Sequence, residues 1–218
     1  NNIVAANGIV NVGVDFQNVQ GSVTNPGTIS VTQDFTNTTG SVTNSGTIDA
    51  NRDVTSTTGA FGNTGTIKVF RNLTATSGLT TSAGTVEYDG TGAQSVLGVA
   101  YGGLKALTGN IKTLAGNASV ATTFEITGAT LDVADKQFTI STTTLTAGAS
   151  GVLDADAGTV IYDRAGDQVV FPGATHLNLT LSGSGVKTSS GALTLNGVFT
   201  SGASNTLFVT GAAFTSDA

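Results

Sequence analysis

Apolar and polar residues alternate in short runs along this chain, and over the first 90 residues the alternation itself returns every 19 positions. Gly21, Gly40, Gly59 and Gly78 each open a near copy of one segment: GSVTNPGTISVTQDFTNTT, GSVTNSGTIDANRDVTSTT, GAFGNTGTIKVFRNLTATS and a fading GLTTSAGTVEYDG. Placing NIVAANGIVNVGVDF (residues 2–16) on the same frame sets Gly8 under Gly27, Gly46, Gly65 and Gly84. Four apolar columns follow. They are Val10, Ile29, Ile48, Ile67, Val86; then Val12, Val31, Ala50, Val69, Tyr88; then Phe16, Phe35, Val54, Leu73; and a less regular Val4, Val23, Val42, Phe61, Thr80. The first two columns lie two residues apart in every copy, which is the period of a strand, and no helical period is sustained.

A repeat near 20 residues with period-2 alternation inside it predicts an all-β chain folded as a parallel β-helix, or β-solenoid, with one coil of about 19 residues per repeat. Parallel crossovers wind right-handed, so a right-handed coil is expected. Coils stacked at the strand spacing of about 4.8 Å place equal positions in contact, so the apolar columns become core ladders. The polar column Asn25, Asn44, Asn63, Ser82 is expected at a corner, its amides bonding to backbone or to each other, beside glycines able to take positive φ.

After Tyr88 a longer unit takes over. GTVEYDGTGAQSV (residues 84–96) returns as GTVIYDRAGDQVV (residues 158–170), and NIKTLAG (110–116) as GVKTSSG (185–191). GATLDVADKQFTI is matched by SNTLFVTGAAFTS. The expected organisation is an N-terminal solenoid of 19-residue coils over 1–90, continued over 91–218 by most of two units of roughly 75 residues that begin at 84 and 158. About 11 coils would make a rod on the order of 55 Å long.

Composition sets the surroundings. A hydrophobic content of 39% and a mean hydropathy of +0.18 are too apolar for disorder, while no apolar run is long enough for a membrane-spanning helix. The net charge of −6, the pI of about 4.4 and the scatter of the eight basic residues give no phosphate-tracking stripe, so nucleic acid is not an expected partner. An extracellular or cell-surface setting is expected, and the absence of cysteine fits it without requiring it. The first residue is Asn rather than Met, as in a processed or excised segment.

The segments GTVEYDGTGAQSVLG, YGGLKALTGNIKTLAGNASV and HLNLTLSGSGVKTSSGALTLNGVF resemble the Thr- and Gly-rich strand repeats of large bacterial cell-surface and secreted proteins, in the style of filamentous-haemagglutinin-like adhesins and autotransporter passengers. The resemblance covers essentially the whole chain. It implies an extracellular β-solenoid with structural, adhesive or matrix roles, and it transfers no catalytic residue.

Candidate chemistry is sparse. Asp15, Asp34 and Asp53 form a column, followed by Asn72 and flanked by Arg52 and Arg71. Three carboxylates about 5 Å apart repel unless solvated, protonated or bridged by a cation. They read as turn residues bonding local backbone, with calcium as the alternative ligand and the one candidate cofactor. Asp154, Asp156, Asp163 and Asp167 match neither the EF-hand loop nor the calcium-binding nonapeptide, and read as a solvated edge. His176, the only histidine, cannot alone make a zinc site, and with no nucleophile-elbow motif present it is expected on the surface or in a groove. Asn37-Thr38-Thr39 and Asn72-Leu73-Thr74, with two further matches at Asn117 and Asn178, fit the N-glycosylation acceptor at the level expected by chance.

Open strand edges at the ends of a solenoid need covering. Neither a polar cap nor an amphipathic helix is legible at either end, and Ile3, Val4, Val10, Val12, Phe208 and Phe214 are the candidate self-association residues. The function expected is therefore non-enzymatic: a β-solenoid subunit that associates head to tail with further copies into a surface filament or matrix fibre. The alternative is an adhesin or a glycan-binding or glycan-processing β-helix with a glycan or cell-surface ligand.

Overall fold

Val10 pairs with Ile29, Ile29 with Ile48, Ile48 with Ile67 and Ile67 with Val86, each in parallel register one coil apart. In a computed structural model this pairing builds an all-β solenoid of about 10 turns. The structure describes residues 2–4, 8–209 and 214–216; for residues 2–4, 205, 208, 209, 214 and 216 it describes the backbone alone.

Four coils share one design of three short strands. They are β1 (Asn2–Val4), β2 (Ile9–Val12) and β3 (Phe16–Asn18); β4 (Ser22–Asn25), β5 (Thr28–Val31) and β6 (Phe35–Asn37); β7 (Ser41–Asn44), β8 (Thr47–Ala50) and β9 (Val54–Ser56); and β10 (Phe61–Asn63), β11 (Thr66–Val69) and β12 (Leu73–Ala75). The later coils mix long and short strands: β13 (Leu79–Tyr88), β14 (Gln94–Val96), β15 (Ala100–Leu107), β16 (Ile111–Leu114), β17 (Ala118–Thr127), β18 (Thr130–Asp132), β19 (Gln137–Ile140), β20 (Thr144–Ala147) and β21 (Val152–Tyr162). The last are β22 (Gln168–Val169), β23 (Thr175–Leu181), β24 (Gly185–Ser189), β25 (Leu193–Leu195), β26 (Phe199–Ser201), β27 (Asn205–Val209) and β28 (Phe214–Ser216). No helix occurs among the described residues.

In the first part of the chain the strands form three walls. One runs β1, β4, β7, β10; the second β2, β5, β8, β11; the third β3, β6, β9, β12. The long β13 pairs with both β10 and β11, joining the first two walls in a single strand. The second wall continues through β13, β15, β17 and β20, while β19 carries the pairing from the first part of β17 on to β21 and β23.

Alternation decides which side chains enter the core. Ile29, Ile48 and Ile67 are fully buried, each worth about 2 kcal/mol relative to an exposed position. Phe16 stacks flat on Phe35 with ring centroids 4.8 Å apart, the separation of neighbouring coils, and Phe35 meets Phe61 from another wall at 5.7 Å. Val10 and Val12, in the first coil, are only half-buried against this core. The side chains of Ile3, Val4, Phe208 and Phe214 lie outside the described ones.

Three expectations are corrected. Leu79, rather than Thr80, follows Phe61 in its column, because β13 pairs one residue early and leaves Thr80 exposed. Ser82 is exposed and adds no rung to the asparagine column. Gly46 and Gly65 do not have positive φ. Their reason is closeness: a Cβ on Gly46 would lie 2.0 Å from the Gly27 carbonyl oxygen, and one on Gly65 would lie 2.1 Å from that of Gly46. The coils touch backbone to backbone at this corner, where a side chain has no room.

Candidate functional site

The aspartate column forms at the start of the third wall. Asp15 Oδ1 accepts the backbone N–H of Asp34 at 3.2 Å, Asp34 Oδ1 that of Asp53 at 3.1 Å, and Asp53 Oδ1 that of Asn72 at 2.9 Å. Each carboxylate thus holds the next coil by its main chain. Arg71 reaches Asp53 at 2.7 Å and Asp34 at 3.8 Å, while Arg52 lies 3.7 Å from Asp34 and donates to Gln33 Oε1 at 2.7 Å. Two guanidinium groups therefore supply positive charge along the ladder. No group of three His, Asp or Glu side chains placed to hold a metal ion occurs among the described residues.

Of the second acidic group, Asp154 and Asp156 line a depression of about 270 Å³ with Val152, Gly173 and Thr175. Asp163 and Asp167 serve the fold instead. The first accepts from Ser141 Oγ at 2.5 Å and the second from the backbone N–H of Val186 at 2.8 Å.

Histidine 176 is a correction. It is fully buried in the core column between Ala155 and Leu195, and neither ring nitrogen has a hydrogen-bond partner. Burial lowers its pKa from 6.5 to about 4. The residue before it, Thr175, carries the outward position that the sequence reading gave to the histidine.

The asparagine column is a buried hydrogen-bond ladder: Asn25 Nδ2 donates to Asn44 Oδ1 and Asn44 Nδ2 to Asn63 Oδ1, both at 2.7 Å. A second ladder escaped the sequence reading. Asn18 Nδ2 donates to Asn37 Oδ1 at 2.9 Å, both residues are buried, and Ser56 takes the next rung. The 19-residue spacing of Asn18 and Asn37 was the available signal. Burial also withdraws Asn37 from its glycosylation motif.

Two buried lysines were missed as well. Lys112 donates to the carbonyl oxygens of Gly90 and of Gly92, the latter at 3.1 Å, and Lys187 to those of Arg164 at 2.7 Å, Ser184 at 3.1 Å and Gly166 at 3.2 Å. They occupy the same place in the two long repeats, at the corner that Gln94 and Gln168 also plug. Burial lowers both lysine pKa values, opposed by the charge of Asp89 for Lys112 and chiefly of Asp163 for Lys187. Tyr88 is buried in the core, where its hydroxyl accepts from the Leu97 N–H past the end of β14 and pairs with Tyr101, and burial pushes its pKa up to about 12. In the second unit Tyr162 accepts from Phe171 N–H in the same way.

On the outer face of the second wall Lys68, Glu87, Lys105 and Glu125 stand at successive rungs with alternating charge; Lys105 lies 2.9 Å from Glu87. These pairs are partly solvated. Lys112→Met is expected to cost about 2 kcal/mol in urea denaturation, because carbonyl oxygens at a buried corner lose their donor, whereas Lys105→Met costs under about 1 kcal/mol. Equal costs for the two would refute the buried-corner role.

No protein-family model, curated protein or solved structure matches the chain. Apart from Asp154 and Asp156, which line the depression, the charged groups described above bond or pair with residues of neighbouring coils or with nearby loop backbone.

Proposed function

We propose that the chain is a non-enzymatic extracellular structural protein, a β-solenoid subunit that self-associates end to end into a surface filament or matrix fibre, in the manner of the bacterial surface repeats it resembles. The observation that carries this reading is the outer surface of the first coil. Ile9, Val14 and Val19 are 70%, 60% and 53% exposed, at positions where the next coil has Thr28, Gln33 and Thr38. Val198, in the coil that holds β26, is 62% exposed. Apolar side chains on an outward position favour contact with another protein surface, and a head-to-tail contact between unlike ends propagates without closing.

Negative-stain electron microscopy of the purified chain tests it. Filaments with an axial repeat on the order of 50 Å are expected, and Ile9→Thr, Val14→Gln and Val19→Thr together, which restore the polarity of the second coil, should abolish them with the circular dichroism spectrum unchanged. Rods that stay single at high concentration overturn self-association. Loss of filaments on calcium chelation would assign Asp15, Asp34 and Asp53 to a bridging cation.

Glycan binding has one observation in its favour, the depression beside Asp154 and Asp156, whose carboxylates suit sugar hydroxyls. Against it, all three tyrosines are buried and no aromatic ring lines the depression.

A further inference from the structure

A protonated imidazole with no acceptor for either N–H cannot stay in an aliphatic column. His176 occupies such a column on β23, with Ala155 of β21 on one side and Leu195 of β25 on the other. The charged residues of β21 nearest to it, Asp154 and Asp156, flank Ala155 on the outward positions, and β25 carries none. The corner groups of this region, Asp163, Arg164, Asp167 and Lys187, are engaged with one another and with loop backbone. Burial alone accounts for the shift of the imidazole, so no neighbouring charge offsets a proton there.

We propose that His176 is an acid-operated latch: when the ring takes a proton, the strands from β23 onward leave β21 while the 19-residue coils stay folded. The reason the effect is local lies in the solenoid. Each coil contacts only its neighbours, so stability is a sum of nearest-neighbour terms and a fault at one interface is relieved by opening that interface. Release would uncover the edge of β21, a long strand from Val152 to Tyr162 whose backbone groups could then accept an added strand from a partner. This inference stands whether or not the rod polymerises.

The sign follows from linkage. A histidine that titrates near 4 in the folded chain and near 6.5 when released binds more protons in the released form between those values, so the latch weakens as pH falls through that window and is fully set above it. Between pH 7 and about pH 4.5 the closed form is disfavoured on the order of 50- to 100-fold.

Hydrogen exchange by mass spectrometry at those two pH values, corrected for the intrinsic exchange rate, tests the proposal. Peptides spanning 175–204 of the wild-type chain should lose protection by about that factor in acid while peptides spanning 22–75 do not. His176→Leu, which repeats the residue that Leu195 already places in the column, should remove the difference. An equal loss in His176→Leu, a uniform loss along the chain, or no loss in the wild type would overturn the latch. Because the chain has one histidine, its imidazole proton resonances also give the midpoint directly. A midpoint near 4 that coincides with the loss of protection supports the proposal, and one near 6.5 with the coils intact refutes it.

Discussion

Gly46→Ala is expected to cost about 3 kcal/mol or more, an effect out of proportion to one added methyl group. The added Cβ would sit 2.0 Å from the Gly27 oxygen, 2.7 Å from the Pro26 carbonyl carbon and 2.9 Å from that of Gly27. All three are backbone atoms, so no side chain can turn aside to make room. Relief requires the second and third coils to move apart, and that stretches bonds such as the one from Thr47 N–H to Gly27 oxygen, now 2.8 Å. Gly13 provides the control. Nothing lies within 4 Å of a Cβ there and its φ is not in the left-handed region, so Gly13→Ala should be neutral or stabilising by about 0.5 kcal/mol through the unfolded chain. Urea midpoints of the two variants decide the matter; a Gly46→Ala protein as stable as the parent would show that close approach is not what selects glycine at this corner.

Asn44→Ala is expected to cost a further large amount, about 3 kcal/mol, through the polar interior. Asn44 accepts from Asn25 and donates to Asn63 at 2.7 Å, to the Thr66 oxygen at 3.0 Å and to the Gly46 oxygen at 3.3 Å, all within a side-chain column shielded from water. Removing one rung strands donors and acceptors on both neighbours, and each buried group left unpaired costs about 1–3 kcal/mol. Asn44→Asp should be worse, since a carboxylate faces the Asn63 Oδ1 acceptor with no proton to offer and loses its hydration. The double variant Asn44→Ala with Asn63→Ala should cost less than the two singles added together, because the shared bond is lost only once. Strict additivity in that cycle would mean that the rungs act independently and that the column is not a ladder.

Both experiments probe features whose legibility in the sequence differed. The asparagine column, like the isoleucine column, was readable because a constant repeat length carries residue n onto residue n plus one repeat, and stacking at the strand spacing then forces the two into contact. Strand direction, the parallel register of the first four coils and the apolar faces follow from that single period. Where the coil length changes, the reading loses its frame. Leu79 displaced Thr80 at that transition, and Ser82 left the ladder there.

The sequence by itself therefore determined the coil, its columns and the asparagine rungs. Only the tertiary structure decided what crosses the interior or turns a corner: the backbone contact that selects Gly46, the guanidinium groups that serve the aspartate column, the carbonyl oxygens held by Lys112 and Lys187, and the dry position of His176. The physical reason is that a repeat reports contacts between equal positions of adjacent coils. Contacts between unlike positions depend on how tightly each corner closes and on which side of the strand a residue falls after a bulge, such as the register shift between Ala155 and Thr159 beside His176.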